Sequence, residues 1–348
     1  MRPELIAYLD DNRPWQQEDI AADKLTCINY AFGKIAGLKI IPKLKKIQLI
    51  NNLKRTYPHL KTCISIGGWS VDGFSDAVST DHHRQIFVDN LVAYMREYDF
   101  DGIDLDWEYP GMDLAGIKAS SADAQNFLLL VQLLRAKLTL FGQQDHRYYR
   151  LTAAVGAAQN LLVTMSPTTD YQYVDYLDYL NVMTYDMRGS WTKQAGHHTN
   201  LYSYATSTGQ LSVADTVDRL VRNGVSPTKI VIGAGFYSRD WFGFDPQVSN
   251  PVGATASTYG TQATNYVDLQ PLLASEPENF FWDDQAQAPY YFNGSQFSSF
   301  DNPRSMSAKA KYVLENNLRG LMFWEYSLDP SQTLLTAAAQ EFVEKDNT

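Results

Sequence analysis

The chain has 348 residues, 45% hydrophobic and 20% charged, which is enough apolar material for one barrel-sized core with an insertion. A formal net charge of −10 without any basic block argues against nucleic acid as a partner, and no apolar stretch approaches membrane-spanning length. The opening Met1-Arg2-Pro3-Glu4-Leu5 lacks the apolar core of a signal peptide, so the chain is expected to be secreted with its signal absent from this sequence, or else cytoplasmic. Aromatic residues reach 13%, which suits a sugar-binding surface and equally a tyrosine-rich core. Cys27 and Cys63 lie in apolar, strand-like runs and read as small buried hydrophobes, not as a disulfide.

Strand-like runs recur at Leu5–Leu9, Thr26–Phe32, Lys61–Gly67, Asp101–Trp107, Arg150–Val155, Tyr179–Tyr185, Ile230–Ala234 and Gly320–Trp324. Helix-period segments lie between them, among them Arg84–Tyr98, Ala122–Leu140, Val213–Asn223 and Ser307–Asn316. Eight strands alternating with helices predict an α/β protein with a closed parallel sheet, the (β/α)8 TIM barrel. The alternative, an open doubly wound sheet, wants a glycine-rich turn after the first strand, where this chain has Asp10-Asp11-Asn12-Arg13-Pro14. The aromatic-rich stretch after the seventh strand is too long for a structureless loop. It predicts a small α+β lobe at 242–300 inserted between strands seven and eight, leaving 1–241 and 301–348 as the barrel.

The fourth run, Asp101-Gly102-Ile103-Asp104-Leu105-Asp106-Trp107-Glu108-Tyr109-Pro110, is the one that folding does not ask for. In a strand, Asp104, Asp106 and Glu108 share one face, while Ile103, Leu105 and Trp107 share the other. Carboxyls about 6 Å apart at an effective dielectric near 20 repel by roughly 2–3 kcal/mol per pair. A shared proton or a raised pKa relieves this, and a raised pKa makes a general acid at neutral pH. A solvated edge strand and a divalent-cation site are the competing readings.

Barrel chemistry sits at the C-terminal strand ends, and the unusual residues gather there. Tyr8 stands near the end of the first strand, where on its own it reads as packing, Phe32 ends the second, and the third ends through Ser65-Ile66-Gly67-Gly68-Trp69. Trp69 would stand at the mouth or pack as a rim residue. The sixth strand ends in Met183-Thr184-Tyr185-Asp186, where the Tyr185 hydroxyl beside a carboxylate would donate to a substrate carbonyl, or would be an ordinary core tyrosine. The seventh continues into Tyr237 and Arg239, and the eighth ends at Trp324, a candidate pocket floor. Adjacent His197 and His198 point apart and lack a third ligand at a sensible spacing, so no metal site is expected there.

The run Asp101, Asp104, Asp106, Glu108 resembles the Asp-x-x-Asp-x-Asp-x-Glu signature of glycoside hydrolase family 18, the chitinases. Ser65-Ile66-Gly67-Gly68, Met183-Thr184-Tyr185-Asp186 and Gly320-Leu321-Met322-Phe323-Trp324 are similar to the family's third-, sixth- and eighth-strand motifs, and the inserted lobe to the chitinase insertion domain of its bacterial-type subgroup. Gly196-His197 through Leu201-Tyr202 looks like the family's sixth loop. The usual Gly-x-Pro-x-Tyr-Gly-Arg of the seventh strand departs here, with Gly235 in place of Pro and Ser238 in place of Gly; Arg319 replaces the first glycine of the eighth.

The resemblance implies hydrolysis of β-1,4-linked N-acetylglucosamine by a retaining mechanism in which the substrate's own acetamido group is the nucleophile, an exception to the two-carboxylate scheme. Glu108 would protonate the glycosidic oxygen, and Asp106 would hold the acetamido N–H. Asp104 would share a proton with Asp106, supported by Tyr8 and Ser65. Tyr185 would bond the acetamido carbonyl, and Trp324 would stack under the sugar at the −1 site. Trp69, Met183, Asp186, Tyr237, Arg239 and Phe32 would line the cleft, and Asp101 would hold the strand–loop geometry. No cofactor and no metal are implied. The expected partner of this monomer is chitin or chito-oligosaccharide. Endo-β-N-acetylglucosaminidase action on N-glycans and a chitin-binding lectin are the alternatives; lectins on this fold usually lack the catalytic Glu, and the inserted lobe favours a linear chain.

Overall fold

Strands buried on both faces carry near-continuous apolar runs, and those of this chain extend into one closed sheet. The computed structural model describes residues 2–41, 44–204 and 211–346; Met1 and 347–348, the ends of the expected barrel segments, lie outside these. The barrel strands are β1 (Glu4–Asp10), β2 (Cys27–Ala36), β4 (Lys61–Gly67), β5 (Gly102–Asp106), β6 (Arg150–Gly156), β7 (Tyr179–Met183), β8 (Ile230–Gly235) and β13 (Gly320–Trp324), and β3 (Lys39–Ile41) folds back antiparallel onto β2. Each of the eight runs parallel to the next, and β1 pairs with both β2 and β13. That double pairing closes the barrel and excludes the open doubly wound sheet.

Helices α1 (Ile47–Thr56), α2 (Phe74–Ala77), α3 (Asp81–Glu97), α4 (Asp123–Asp145), α5 (Gln159–Thr164), α6 (Val213–Arg222), α8 (Pro303–Glu315) and α9 (Thr333–Asp346) follow the strands, and α7 (Tyr266–Ser275) belongs to the insertion. Several start where short polar side chains accept a first-turn N–H: Thr80 from His83, Ser212 from Asp215, and Asn302 from Ser305 ahead of Pro303. The apolar face of β5 is covered as its alternation requires. Beyond its end, Trp107 stacks on Phe74 of α2 at 5.1 Å between ring centres and meets Phe127 of α4 edge-on at 6.2 Å. Burying each such ring contributes roughly 1.5–3 kcal/mol.

Between β8 and β13 a second, antiparallel sheet forms from β9 (Arg239–Phe242), β10 (Phe280–Asp283), β11 (Ala288–Phe292) and β12 (Gln296–Ser299), in the order β10-β11-β12-β9. It has its own small cores, one around Trp241, Phe244 and Phe297 and one around Leu269, Tyr291 and Phe300. Cys27 and Cys63 are buried and free, with their sulfurs 4.0 Å apart on neighbouring strands.

Candidate active site

Alternation along β5 sends Asp104 and Asp106 into the barrel. Asp104 is fully buried. Its Oδ2 accepts from the hydroxyls of Tyr8 at 2.9 Å and Ser65 at 2.8 Å, and its Oδ1 accepts from Thr152 at 2.6 Å and the Asn181 amide at 3.0 Å. Ser65, Asp104 and Thr152 sit at one level of the barrel by strand register. These four donors favour the charged carboxylate, while burial, the larger effect, raises its pKa.

Asp106, two residues nearer the mouth, is in the opposite position. Its Oδ1 is buried and has no hydrogen-bond partner. Burial first, then the charges of Glu108 and Asp104, push its carboxyl well above the ordinary range. Because β5 ends at Asp106, Glu108 lies in the following loop and not on the strand face. Burial raises the Glu108 carboxyl to about 7; a hydrogen bond from Tyr109 opposes this and the charge of Asp186 adds to it. Asp101 sits at the far end of β5, tied to Arg147 at 2.7 Å, Lys54 at 3.3 Å and the Thr62 N–H at 3.0 Å.

Tyr185 follows β7. Its hydroxyl has the Met322 sulfur at 4.0 Å, a weak acceptor. Burial, then Asp106 and Glu108, keep this phenol protonated. Asp186 adopts a left-handed φ of 51° and pairs with Arg239 at 2.6 Å. Arg239 in turn lies 5.5 Å over the Tyr237 ring, and Tyr237 meets Tyr185 edge-on at 6.3 Å. At the end of β13, Trp324 stacks on Phe32 at 5.4 Å and tilts against Tyr8 at 5.9 Å.

The glycines after β4 allow this closeness. A Cβ on Gly67 would stand 2.1 Å from the Asp106 carbonyl oxygen, and one on Gly68 2.8 Å from the Phe32 ring. Trp69, 58% exposed, stands on the rim just after them, and Met183 is half-buried at the end of β7. Among the described residues, no group of three or more His, Cys, Asp or Glu side chains is placed to hold a metal ion. His197 and His198 turn to different partners: His197 to Asp283, and His198 to the Asp186 backbone N–H and the Tyr237 carbonyl oxygen.

Apart from Trp69 and Met183, the residues expected from sequence form three groups. Tyr8, Ser65 and Asp104 are joined by hydrogen bonds. Asp106, Glu108, Tyr185, Asp186, Arg239 and Tyr237 form a chain of charges and ring contacts, and Phe32 and Trp324 form a stacked pair. The profile of the family described as Glycosyl hydrolases family 18 matches residues 4–329. The chain belongs to glycosyl hydrolase family 18.

Over 314 residues it is 35% identical to Chitinase A1 of Niallia circulans, covering 84% of this chain and 44% of that one. Over 344 residues it is 30% identical to an endochitinase of Manduca sexta, covering 91% and 61%. The chain therefore spans about half the length of the curated relatives it matches. Among solved structures, a family 18 N-acetylglucosaminidase from Paenibacillus barengoltzii shares 39% identity with a TM-score of 0.90, over 97% of this chain and 99% of that one. The Ostrinia furnacalis Group IV chitinase in complex with allosamidin shares 27% with a TM-score of 0.88, over 98% and 99%.

Within this family 18 frame, the departures in the seventh-strand motif have visible surroundings. Ser238 is buried, and its hydroxyl accepts the Thr264 N–H at 3.0 Å. No motif or spacing in the sequence singles out Thr152, Asn181 or Met322, and His198 enters there only as a rejected metal ligand and within the sixth-loop resemblance. The available signal was a lone polar residue inside an apolar strand, as in Leu151-Thr152-Ala153 and Leu180-Asn181-Val182.

Proposed function

We propose that the chain hydrolyses β-1,4-linked N-acetylglucosamine chains, chitin or chito-oligosaccharides, with retention and with the substrate's acetamido group as the internal nucleophile. The observation that carries this reading is a pair of unspent groups beside a proton-bearing acid. Asp106 Oδ1 is buried without a partner, and the Tyr185 hydroxyl donates to a weak acceptor, the Met322 sulfur at 4.0 Å. An acetamido group presents one N–H and one carbonyl oxygen, which are the complements of these two. Leaving buried polar groups unmatched costs about 1–3 kcal/mol each, so a ligand that satisfies both is strongly favoured over one that satisfies neither.

In this reading Glu108, near pKa 7, gives its proton to the glycosidic oxygen as the C–O bond breaks. The acetamido oxygen attacks the anomeric carbon, and an oxazolinium ion forms. Asp106 accepts the acetamido N–H and balances the positive charge. Asp104, held by four donors, shares a proton with Asp106, so that the pair carries one negative charge. Glu108 then takes a proton from the water that opens the ring. Trp324 supplies a flat apolar surface for the −1 sugar, while Trp69, Met183, Phe32, Tyr237 and Arg239 line the cleft. The barrel at 1–241 and 301–348 carries the chemistry and the lobe at 242–300 forms one wall. The enzyme acts as a secreted monomer without cofactor or metal.

Release of single N-acetylglucosamine units from chain ends is a second reading. It is favoured by the end-to-end match to the Paenibacillus barengoltzii N-acetylglucosaminidase. Incubation with N-acetylglucosamine oligomers, with products resolved over time, tests both. Monosaccharide from the first time points supports the second reading, and mixed internal cleavage the first. No cleavage of any oligomer or of a chitobiose-cored N-glycan overturns the proposal.

A further inference from the structure

His198 is a buried titratable group that the proposed chemistry leaves unused. It lies in the loop after β7 and has no exposed surface. Its Nδ1 accepts the backbone N–H of Asp186 at 3.3 Å, and its Nε2 lies 3.2 Å from the Tyr237 carbonyl oxygen. A backbone donor at one nitrogen and a carbonyl acceptor at the other select one tautomer, with the proton on Nε2. The His198 N–H donates to Ser299 Oγ of β12 at 3.0 Å, which ties the clamp to the second sheet. The charged and titratable groups around the ring are Asp186 and Arg239 on the cleft side, Asp301 and Lys309 behind it, and the Tyr237 phenol. Burial outweighs them and lowers the imidazole to about 4, so it is neutral at neutral pH.

Gly235 makes room for this ring. A Cβ there would meet Tyr237 Cε1 at 3.1 Å, His198 Cε1 at 3.2 Å and Tyr185 Cβ at 3.4 Å. The position where the family's usual motif has proline is therefore, in this chain, pressed against the imidazole edge. What the ring holds also needs holding. Asp186 has the left-handed φ of 51°, uncommon for a residue with a side chain. It directly follows Tyr185, and its carboxylate is one of the charges acting on Glu108.

We propose that His198 is a positioning residue: its neutral Nε2–H ring clamps the Asp186 N–H and the Tyr237 carbonyl, holding Asp186 opposite Glu108 and Tyr185 in the cleft. The inference rests on the reading of Glu108 as the acid.

Three variants and one spectrum test it. In His198→Phe the clamp is gone, and the Asp186–Arg239 pair is free to move away from Glu108. The expected result is a kcat lower by roughly 10- to 10²-fold, as for a misplacement of about 1 Å, with KM nearly unchanged. The alkaline limb of kcat/KM moves to lower pH, because a more distant Asp186 opposes Glu108 ionisation less. In His198→Asn the side-chain oxygen takes the place of Nδ1 and accepts the Asp186 N–H again, so the limb returns and most of kcat with it. Equal losses in both variants with the limb unmoved would mean that the ring only packs, and the proposal falls. Imidazole nitrogen shifts of the unmodified protein stand independently of whether His198→Phe folds. An unprotonated Nδ1 from pH 5 to 8 is expected, and a proton on Nδ1 or titration in the ordinary histidine range overturns the tautomer assignment. Glu108→Gln separates the two layers: retained activity there defeats the acid assignment while leaving the nitrogen spectrum untouched.

Discussion

A carboxyl held near pH 7 has consequences whose sign is fixed. Glu108 acts as an acid only while it carries its proton, so kcat/KM should fall as pH rises through about 7. Glu108→Gln keeps the shape and removes the proton; turnover should drop by roughly 10²-fold or more, with oligosaccharide binding retained in calorimetry. The same group affects stability. Its folded pKa of about 7 stands above the ordinary 4.5, so the folded chain holds a proton that the unfolded chain gives up. The stability this contributes is fully present below about 4.5 and is lost as pH rises through about 7. Glutamine has no such loss, so at pH 8 the variant should melt above the unmodified protein, by on the order of 1–3 kcal/mol in unfolding free energy. A variant that melts lower at pH 8 would contradict the burial cost assigned to Glu108.

At the scale of elements, strands were the most legible part of the chain and their side partners the least. Lys61–Gly67 and Gly320–Trp324 stand in the structure with the ends that periodicity assigns, and the acidic run stands out in the sequence because three carboxyls in alternation conflict with a packed barrel, although β5 itself holds only Asp104 and Asp106. Thr152 and Asn181 carry the same kind of signal in weaker form. One Thr or Asn in an apolar strand has many ordinary explanations, and only the register of β6 and β7 beside β5 brings them to Asp104. His198 was illegible for a different reason: its partners come from three separate elements, and no spacing along the chain encodes that. Thr152→Val keeps the shape and removes one donor to a buried carboxylate, a bond worth roughly 1.5–3 kcal/mol. Kinetics should show a lower kcat with little change in KM, and a KM effect alone would count against a role for Asp104. The loop after β7 is anchored elsewhere by fully buried Lys309, whose Nζ reaches Asp301 and Thr199, both at 2.6 Å. Burial lowers the lysine pKa and Asp301 opposes that. Lys309→Met leaves Asp301 buried and without its ion-pair partner, and should destabilise by roughly 3–5 kcal/mol in denaturant titration.

For the whole molecule, the proposed chemistry predicts which substrates fail. A glucose or unacetylated glucosamine unit at −1 offers nothing to Asp106 or Tyr185, so cello-oligomers should remain intact, and fresh chito-oligomer products should show the β-anomeric proton signal first. An initial α-anomer would refute the internal nucleophile. The closed barrel also bears on how activity comes into being. The seam joins Glu4 to Gly320 and Leu5 to Leu321, the first barrel strand to the last. Tyr8 and Trp324, which touch across that seam, both contribute to the cleft in the proposed mechanism. β13 is the last barrel strand in chain order, so at about 5–20 residues per second β1 keeps an unpaired edge during synthesis until Gly320–Trp324 has emerged. In the proposed mechanism, the cleft to which Tyr8 and Trp324 contribute is complete only once β1 and β13 have paired.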